Sequence, residues 1–181
     1  MLQKINNPIL RSAVEWLIAA LIAVGLFFVV RTFVFRVADV NGRSMEPTLQ
    51  DGDLVILSRV GYWFGAPRVG DIVAFPYGGD ASEHYIKRVI ALPGDVVDIR
   101  NGEITVNGFC PGYVLLPDEA MWNYGNVHFP ITVEPDRVFV LGDNRNFSKD
   151  SRYVTVGNVP IEDLLGRVIL RFWPPGRFGS V

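Results

Sequence analysis

The chain has 181 residues, enough for one compact domain with a terminal extension. Its apolar fraction of 49% and its mean hydropathy of +0.24 are high for a soluble domain, and the apolar excess lies near the N-terminus. The net charge of -2, with no clustered Lys and Arg, excludes a nucleic-acid-binding signature, so we expect no nucleic-acid partner. Cys110 is the only cysteine, which excludes an intramolecular disulfide.

The N-terminal segment predicts a membrane anchor. Residues 16–30 carry no charge and lie between Glu15 and Arg31. Extended to residues 13–35, the segment reaches the ~20 residues that a membrane-spanning helix needs. A cleavable signal peptide and the buried helix of a soluble protein are the alternatives, but small residues typical of a cleavage site do not follow the segment. Basic residues lie on both sides of it, so the positive-inside rule does not decide its orientation.

Beyond residue 36 the sequence predicts mainly β structure. Short runs rich in Val, Ile and Phe are separated by Gly, Pro and Asp, which is typical of strands joined by turns. The predicted strands are residues 54–57, 71–75, 86–90, 96–99, 103–106, 137–141 and 166–172. Residues 160–165 predict about one helical turn, and residues 107–133 predict an inserted loop or small subdomain. The aromatic pair Trp63 and Phe64 is either a contact with the bilayer interface or a packed turn.

Ser44 and Lys87 are the candidate catalytic pair. Neither of the two histidines lies in a recognisable catalytic motif, so a serine nucleophile would need another base, and a desolvated lysine is a known substitute. Strand alternation places Lys87 on one face with Tyr85 and Val89, whose side chains would remove water from the amine and lower its pKa. The alternative for each residue alone is ordinary: a turn serine and a solvent-facing strand lysine.

A polar cluster follows the predicted strand at residues 137–141. Five of its residues are candidate site residues: Asp143, Arg145, Ser148, Asp150 and Arg152. Asp150 and Arg152 are spaced to form an ion pair, and Ser148 is a candidate to hydrogen-bond the Lys87 amine and direct it at Ser44. The charged residues would then form a supporting shell. A solvated loop is the alternative.

Together these motifs resemble the bacterial type I signal peptidase family of Ser/Lys serine proteases. The resemblance covers nearly the whole chain, and its motifs follow the family's order. They are Glu15-Trp16, Arg31 to Phe35, Ser44-Met45-Glu46-Pro47-Thr48-Leu49, Gly70 to Phe75, Lys87 to Asp95, and Gly142 to Arg152. The resemblance implies a mainly antiparallel β-sheet catalytic domain with a small inserted β region and one N-terminal transmembrane helix. The implied domains are a cytoplasmic tail at 1–12, an anchor at 13–35, and a catalytic domain at 36–181 with the inserted region at about 96–137.

The resemblance also implies a role for each site residue. Ser44 is the nucleophile, Lys87 the general base and Ser148 the residue that orients the lysine, while Asp150 and Arg152 match supporting residues. The family's shallow apolar substrate pockets map onto four apolar positions: Val40, Leu49, Tyr85 and Ile86. Some members have a serine two residues before the nucleophile that helps to stabilise the oxyanion. Gly42 occupies that position here, so the backbone N–H of Ser44 is expected to be the main oxyanion donor.

The implied substrates are secretory preproteins, cut after a signal peptide with small residues at the first and third positions before the bond. The implied location is the bacterial cytoplasmic (inner) membrane, with a single span in the lipid bilayer, the catalytic domain on the extracytoplasmic side, and the translocon nearby. No metal or organic cofactor is implied.

Three alternatives stay open to different degrees. A self-cleaving Ser/Lys repressor would carry a DNA-binding domain where this chain has its apolar segment. A specialised maturation peptidase for conjugation or pilus subunits would use the same dyad. A catalytically silent membrane-anchored β scaffold would have no need for Ser44, Lys87 and Ser148 together.

Overall fold

The structure is a computed structural model that describes residues 8–33, 35–59, 62, 65–77, 80–110, 112 and 121–181. Trp63 and Phe64, the candidate interfacial pair, lie outside the described residues. The chain divides into two compact units, one ending at Arg36 and the other formed by Val37–Val181. Each unit is described by itself below.

The first unit is a single long helix, α1, at Pro8–Phe33. At 1.5 Å per residue its 26 residues span about 39 Å, more than the ~30 Å hydrocarbon core of a bilayer. The window Arg11–Phe28 has a mean hydropathy of 1.8 and none of it is buried, and it is the one span among the described residues long and apolar enough to cross a membrane. The helix begins before the predicted residue 13 and ends before the predicted residue 35, since Phe35 starts a strand.

The second unit is built from short strands. They are β1 (Phe35–Asp39, which starts at the end of the first unit), β2 (Leu54–Ser58), β3 (Ile72–Tyr77), β4 (Asp80–Ala91), β5 (Val96–Arg100), β6 (Glu103–Val106), β7 (Ile131–Thr132), β8 (Arg137–Leu141), β9 (Val159–Pro160), β10 (Gly166–Trp173) and β11 (Gly179–Ser180). Single 3₁₀ turns lie at Arg145–Phe147, Ile161–Asp163 and Pro175–Arg177. All seven predicted strands are confirmed, and the predicted helical turn at residues 160–165 is the second of the 3₁₀ turns.

The strands form two sheets. The larger has the order β1-β2-β10-β3-β4-β8-β9, with β11 paired to β10, and the smaller has the order β6-β5-β7. The β5–β6 hairpin turns at Asn101-Gly102, where both residues have positive φ (53° and 85°), as a two-residue turn of the Asn-Gly type requires. The smaller sheet lies within the predicted inserted region at residues 96–137, and the fold is mainly antiparallel β as predicted.

Three apolar clusters fill the second unit. Residues of β3 alternate between two of them: Ile72 and Ala74 belong to one, Val73 and Phe75 to another, because successive side chains of a strand point to opposite faces. The third cluster joins the smaller sheet to β4 and β8. Pairing of β4 with β8, which sets Arg88 opposite Leu141, brings the strand that carries Lys87 next to the polar loop that follows β8. This pairing is what assembles the candidate site.

Candidate active site

Ser44 lies in a turn that leaves the end of β1 and is closed by backbone hydrogen bonds. Gly42 starts it with φ of +89°, a conformation that side chains other than glycine rarely adopt, and its N–H donates to Asp51 Oδ1 at 2.7 Å. The N–H of Leu49 donates to the carbonyl of Met45 at 2.9 Å, which closes the far side of the turn. Ser44 is thus held by fixed backbone on both sides.

Lys87 reaches Ser44 from the middle of β4. Its side chain is only 3% exposed, and Nζ donates to Ser44 Oγ at 2.9 Å and to the Ile86 carbonyl at 2.9 Å. The Tyr85 ring, on the same face of the strand, lies 4.7 Å from Nζ. The burial predicted from strand alternation is confirmed. The structure therefore brings together two residues that are 43 positions apart in the sequence.

Burial of the amine lowers the pKa of Lys87 from 10.5 to about 8. The charged ammonium loses hydration inside the protein and cannot recover it from apolar neighbours. The carboxylates of Asp150 and Asp143 act in the opposite direction, and the Arg152 guanidinium acts in the same direction as burial. The net result is an amine of which a substantial fraction is neutral at mildly alkaline pH.

Asp143 ties the polar loop to both candidate catalytic elements. It is fully buried and accepts two hydrogen bonds from Arg88, at 2.8 and 2.7 Å, and one from Thr48 Oγ1 at 2.6 Å. The next backbone N–H, that of Asn144, donates to the Ser44 carbonyl at 3.0 Å. Thr48 follows Ser44 in the turn and Arg88 follows Lys87 in β4, so Asp143 fixes the two elements relative to each other.

Asp150 and Arg152 form the predicted ion pair. Both are fully buried, with Arg152 Nε 2.7 Å from Asp150 Oδ1 and Nη2 2.8 Å from Oδ2. Arg152 Nη2 also donates to the Arg145 carbonyl at 2.6 Å, and Asp150 accepts the Gly142 N–H at 3.1 Å. Buried charges are tolerated only when paired and hydrogen-bonded in this way. The pair therefore organises the loop from its interior.

Arg145 belongs to the same shell. It is buried, its Nε donates to the Gly142 carbonyl at 3.0 Å, and burial lowers the pKa of its guanidinium to about 10. Its Nη2 atom has no hydrogen-bond partner among the described residues. The sequence predicted Arg145 as a supporting residue, and the structure places it behind Gly142, one step removed from Ser44 and Lys87.

The predicted hydrogen bond between Ser148 and Lys87 is not present in the structure. Ser148 is buried, but its Oγ has no hydrogen-bond partner among the described residues. It lies instead against Gly142, where an added Cβ would be 2.2 Å from Ser148 Oγ and 2.4 Å from the Ser44 carbonyl oxygen. Gly142 thus lets the polar loop approach Ser44 closely, and Ser148 fills the space behind it.

Ser44 and Lys87 open onto a cleft of ≈ 250 Å³. Of the four predicted pocket residues, Val40, Tyr85 and Ile86 line the cleft. The prediction for Leu49 is wrong: its side chain is fully buried in the apolar core, because the Ser44 turn rotates it inward and bonds its N–H to Met45. A larger cavity of ≈ 610 Å³, near Arg59 and Arg137, contains neither Ser44 nor Lys87.

The oxyanion donors can be judged from the same geometry. The Gly42 N–H is occupied by Asp51, so it is not available to a substrate. The Ser44 N–H donates to no acceptor within the part of the chain that the structure describes. It is therefore available as a backbone donor, and its expected role at a developing oxyanion stays a prediction.

Two residues of the site were not assigned a role from the sequence. Arg88 donates to Asp143, and Gly142 lies against Ser148 and the Ser44 carbonyl oxygen. A charged residue inside an apolar strand was a usable signal for Arg88, because such a residue needs a buried partner. The role of Gly142 depends on how closely the polar loop approaches the Ser44 turn, and the sequence pattern does not predict that distance.

A mainly antiparallel β fold with a serine hydroxyl and a buried amine hydrogen-bonded in an open cleft is the architecture of a serine hydrolase. Comparison with known proteins narrows this class. The family model described as "Signal peptidase, peptidase S26" matches residues 13–173, and the chain therefore belongs to the signal peptidase family. It is a serine peptidase, and signal-peptide removal is the activity of its family.

Two curated relatives agree with this assignment. A signal peptidase I from Leptolyngbya laminosa is 34% identical, and the match covers 98% of this chain and 86% of that protein. A probable signal peptidase I-2 from Synechocystis is 40% identical over 89% of this chain and 72% of that protein. A crystal structure of a signal peptidase I from Enterococcus faecalis is 31% identical, covering 56% of this chain and 95% of that chain, with a TM-score of 0.45.

Proposed function

We propose that the protein is a membrane-bound endopeptidase that removes N-terminal signal peptides from secretory preproteins with Ser44 as nucleophile and Lys87 as general base. The observation that carries the proposal is the 2.9 Å contact between Lys87 Nζ and Ser44 Oγ, made by an amine that is buried and faces an open cleft. A base must lie within about 2.6–3.2 Å of the proton it takes, and this pair does.

The first half-reaction forms an acyl-enzyme. The neutral Lys87 amine takes the hydroxyl proton as Ser44 Oγ attacks the carbonyl carbon of the scissile bond, and the carbonyl oxygen becomes an oxyanion that accepts the Ser44 N–H. The ammonium then gives this proton to the leaving amine nitrogen as the C–N bond breaks. The mature protein departs with a new N-terminus, and the signal peptide stays esterified to Ser44.

The second half-reaction regenerates the enzyme. Lys87, neutral again, takes a proton from water as the water oxygen attacks the ester carbonyl, and returns a proton to Ser44 Oγ as the ester breaks. The hydrogen bond from Nζ to the Ile86 carbonyl occupies one N–H of the neutral amine and so directs its lone pair. The Tyr85 ring, 4.7 Å away, stabilises the transient ammonium through its π face.

Ser148, Asp143, Arg145, Asp150 and Arg152 are positioning residues in this proposal. They hold the loop behind the pair, and none of them needs to touch the substrate. The small residues of the signal peptide before the scissile bond would lie against Val40, Tyr85 and Ile86, since a 250 Å³ cleft leaves little room for large side chains at these positions.

Preprotein cleavage tests the dyad. A preprotein with Ala-x-Ala before its mature start is incubated in detergent with the full chain, and the new N-terminus is sequenced. We expect cleavage at the expected bond by the unmodified chain, and none by Ser44→Ala or Lys87→Ala. Ser58→Ala, a serine on β2, and Lys149→Ala, a second lysine lining the cleft that is not bonded to Ser44, are matched controls that retain cleavage. Equal cleavage by all variants would refute the dyad.

The membrane arrangement is also a proposal: a tail at residues 1–12 inside, the anchor within residues 13–35, and residues 36–181 outside the cytoplasm. Cys110, the only cysteine, is exposed and therefore serves as a natural reporter. A membrane-impermeant maleimide should label Cys110 in intact cells, while Asn6→Cys in a Cys110→Ala background should be labelled only after lysis. The reverse pattern would refute the orientation.

A further inference from the structure

Two large aromatic side chains are exposed at the edge of the cleft. Trp122 is 62% exposed and Phe147 is 56% exposed, and their rings meet edge to face with centroids 6.0 Å apart. Phe147 lines the same cleft as Ser44 and Lys87. The Arg43 guanidinium lies 5.3 Å from the centre of the Phe147 ring. We call these three residues (Arg43, Trp122 and Phe147) the aromatic shelf.

The shelf is held by a rigid backbone. Asn146, which is buried, accepts the N–H groups of Trp122 and Asn123 at its Oδ1, at 2.9 and 3.3 Å. Asn123 Nδ2 donates back to the Asn146 carbonyl at 3.2 Å, and Tyr153 OH donates to Asn123 Oδ1 at 2.8 Å. The exposure of the two aromatic rings therefore does not arise from a loose loop. The fold holds them in contact with solvent.

The backbone of the polar loop explains how Phe147 comes to face outward. Side chains alternate from buried Asn146 to exposed Phe147 to buried Ser148, and Ser148 has extended dihedrals (φ -123°, ψ 134°). The inward positions hold the candidate site together, while the outward position is free to vary without disturbing it. No step of the proposed peptide hydrolysis uses Phe147 or Trp122, so their exposure needs a separate explanation.

We propose that the aromatic shelf binds a large apolar side chain of the substrate polypeptide, aromatic or branched aliphatic, and so determines specificity at one position besides the two small residues. This inference rests on the proposed function, because it takes the cleft as the place where the substrate chain lies. Rigid, exposed aromatic side chains are typical binding anchors, since ordering them has no further entropic cost on association.

The geometry limits which substrate position is recognised. Phe147 lines the same cleft as Ser44, so we take it to lie roughly two residues of extended chain from the scissile bond. The 6.0 Å between the two ring centres adds about two more residues. The recognised side chain therefore lies within about four residues of the scissile bond. Continuity of Phe147 with the cleft favours the substrate over a lipid surface as the occupant of the shelf.

The experiment measures kcat/KM of the full chain in detergent for quenched peptides that carry Ala-x-Ala before the bond. One position at a time is varied among the four residues before and the four residues after the scissile bond, leaving out the two that must be small. At each position the peptide carries Phe, Leu or Ser. At one position we expect kcat/KM for the Phe or Leu peptide to exceed kcat/KM for the Ser peptide by about five- to tenfold. Trp122→Ala and Phe147→Ala should reduce this preference to about twofold or less, and Trp122→Phe should retain most of it. Phe109→Ala is the matched control, because Phe109 is 78% exposed and does not line the cleft.

A binding measurement separates the shelf from catalysis. In a Ser44→Ala background, each Phe or Leu peptide of the set is titrated beside its Ser counterpart. The Phe or Leu peptide at one position should change the tryptophan fluorescence at lower concentration than its Ser counterpart, and adding Trp122→Phe should remove most of that change. This measurement still tests the shelf if the unmodified chain cleaves nothing, an outcome that would contradict the proposed function instead.

Three results would overturn the proposal. The first is an equal loss of kcat/KM for every peptide in Trp122→Ala, which would mean a structural role. The second is an unchanged side-chain preference in both alanine variants. The third is unchanged peptide cleavage with weakened binding of Trp122→Ala to phosphatidylglycerol-containing vesicles, which would make the shelf a lipid contact.

Discussion

The pH dependence of cleavage gives the most direct test of Lys87 as the base. With burial lowering its pKa to about 8, about half of the molecules carry the neutral amine at pH 8 and about 1% at pH 6. An amine with the ordinary pKa of 10.5 would be neutral in only about 0.3% of molecules at pH 8. Burial therefore increases the active fraction at that pH by about 150-fold. We expect kcat/KM to rise tenfold per pH unit below pH 8 and to level off above it.

The assay follows kcat/KM for a quenched signal-peptide substrate from pH 5.5 to 10.5 at constant ionic strength, since kcat/KM reports the groups of the free enzyme. His84 lines the same cleft, so His84→Gln is the necessary control and should leave the midpoint near 8. A midpoint near 6.5, the ordinary range of an imidazole, that disappears in His84→Gln would refute lysine as the base. A value of kcat/KM that still rises tenfold per pH unit at pH 10 would refute a base whose pKa is lowered by desolvation.

Three further variants test the surroundings of the pair. Lys87→Met should increase the free energy of unfolding at pH 7 by up to about 3 kcal/mol, because it removes a buried ammonium. The folded state binds fewer protons than the unfolded state between pH 8 and 10.5, so this gain should vanish as the pH rises through that window. Gly142→Ala should reduce kcat/KM at least about 100-fold, because its Cβ would overlap atoms of both flanking loops, whereas Gly176→Ala, with open space around it, should be neutral. Arg88→Met should leave Asp143 unpaired, raise the pKa of Lys87 and move the pH midpoint above 8.

Each of these expectations has a clear contrary result. Urea unfolding of Lys87→Met that shows the same gain at pH 7 and pH 10.5 would mean that the ammonium is not the cause. Full activity in Gly142→Ala would show that the two loops are not closely packed. A midpoint that stays at 8 or falls below it in Arg88→Met would mean that the Asp143 carboxylate does not act on the amine as predicted, and the midpoint is informative even if part of the protein unfolds.

The strands that the sequence predicts are those stabilised by their own composition. Runs of β-branched residues such as residues 96–99 and 103–106 fall within β5 and β6, and the Asn101-Gly102 pair between them is of the residue type that favours a two-residue turn. The two-residue strands β7, β9 and β11 were missed, because such short strands exist only through pairing with a partner and have no local pattern. Their existence follows from the tertiary fold. The five-residue strand β1 (Phe35–Asp39) was missed as well, because the predicted anchor was extended to residue 35.

Some features of the candidate site could likewise be predicted from the sequence, and others could not. The Asp150–Arg152 pair followed from spacing, and burial of Lys87 followed from strand alternation. Ser44 and Lys87 were paired from the sequence because the chain offers no catalytic histidine, and the family resemblance supported the pairing. The contact itself could not be derived from the sequence, since pairing of β4 with β8 and closure of the Ser44 turn are not local properties. The predictions for Ser148 and Leu49 failed because both side-chain directions depend on loop backbone that has no local sequence pattern. The Ser44 turn directs Leu49 into the core, and Ser148 lies against Gly142, which permits a close approach of the polar loop to Ser44.

The charges around Lys87 explain how an amine with a low pKa coexists with two buried carboxylates. Alone, Asp143 and Asp150 would hold the lysine in its charged form and prevent it from acting as a base. Each carboxylate instead accepts a bidentate pair of hydrogen bonds from its own arginine, Asp143 from Arg88 and Asp150 from Arg152. The two pairs supply hydrogen bonds that hold the loop in place but little net negative charge. Desolvation therefore remains the largest influence on the pKa of Lys87, and the same residues that position the pair leave its amine free to accept a proton.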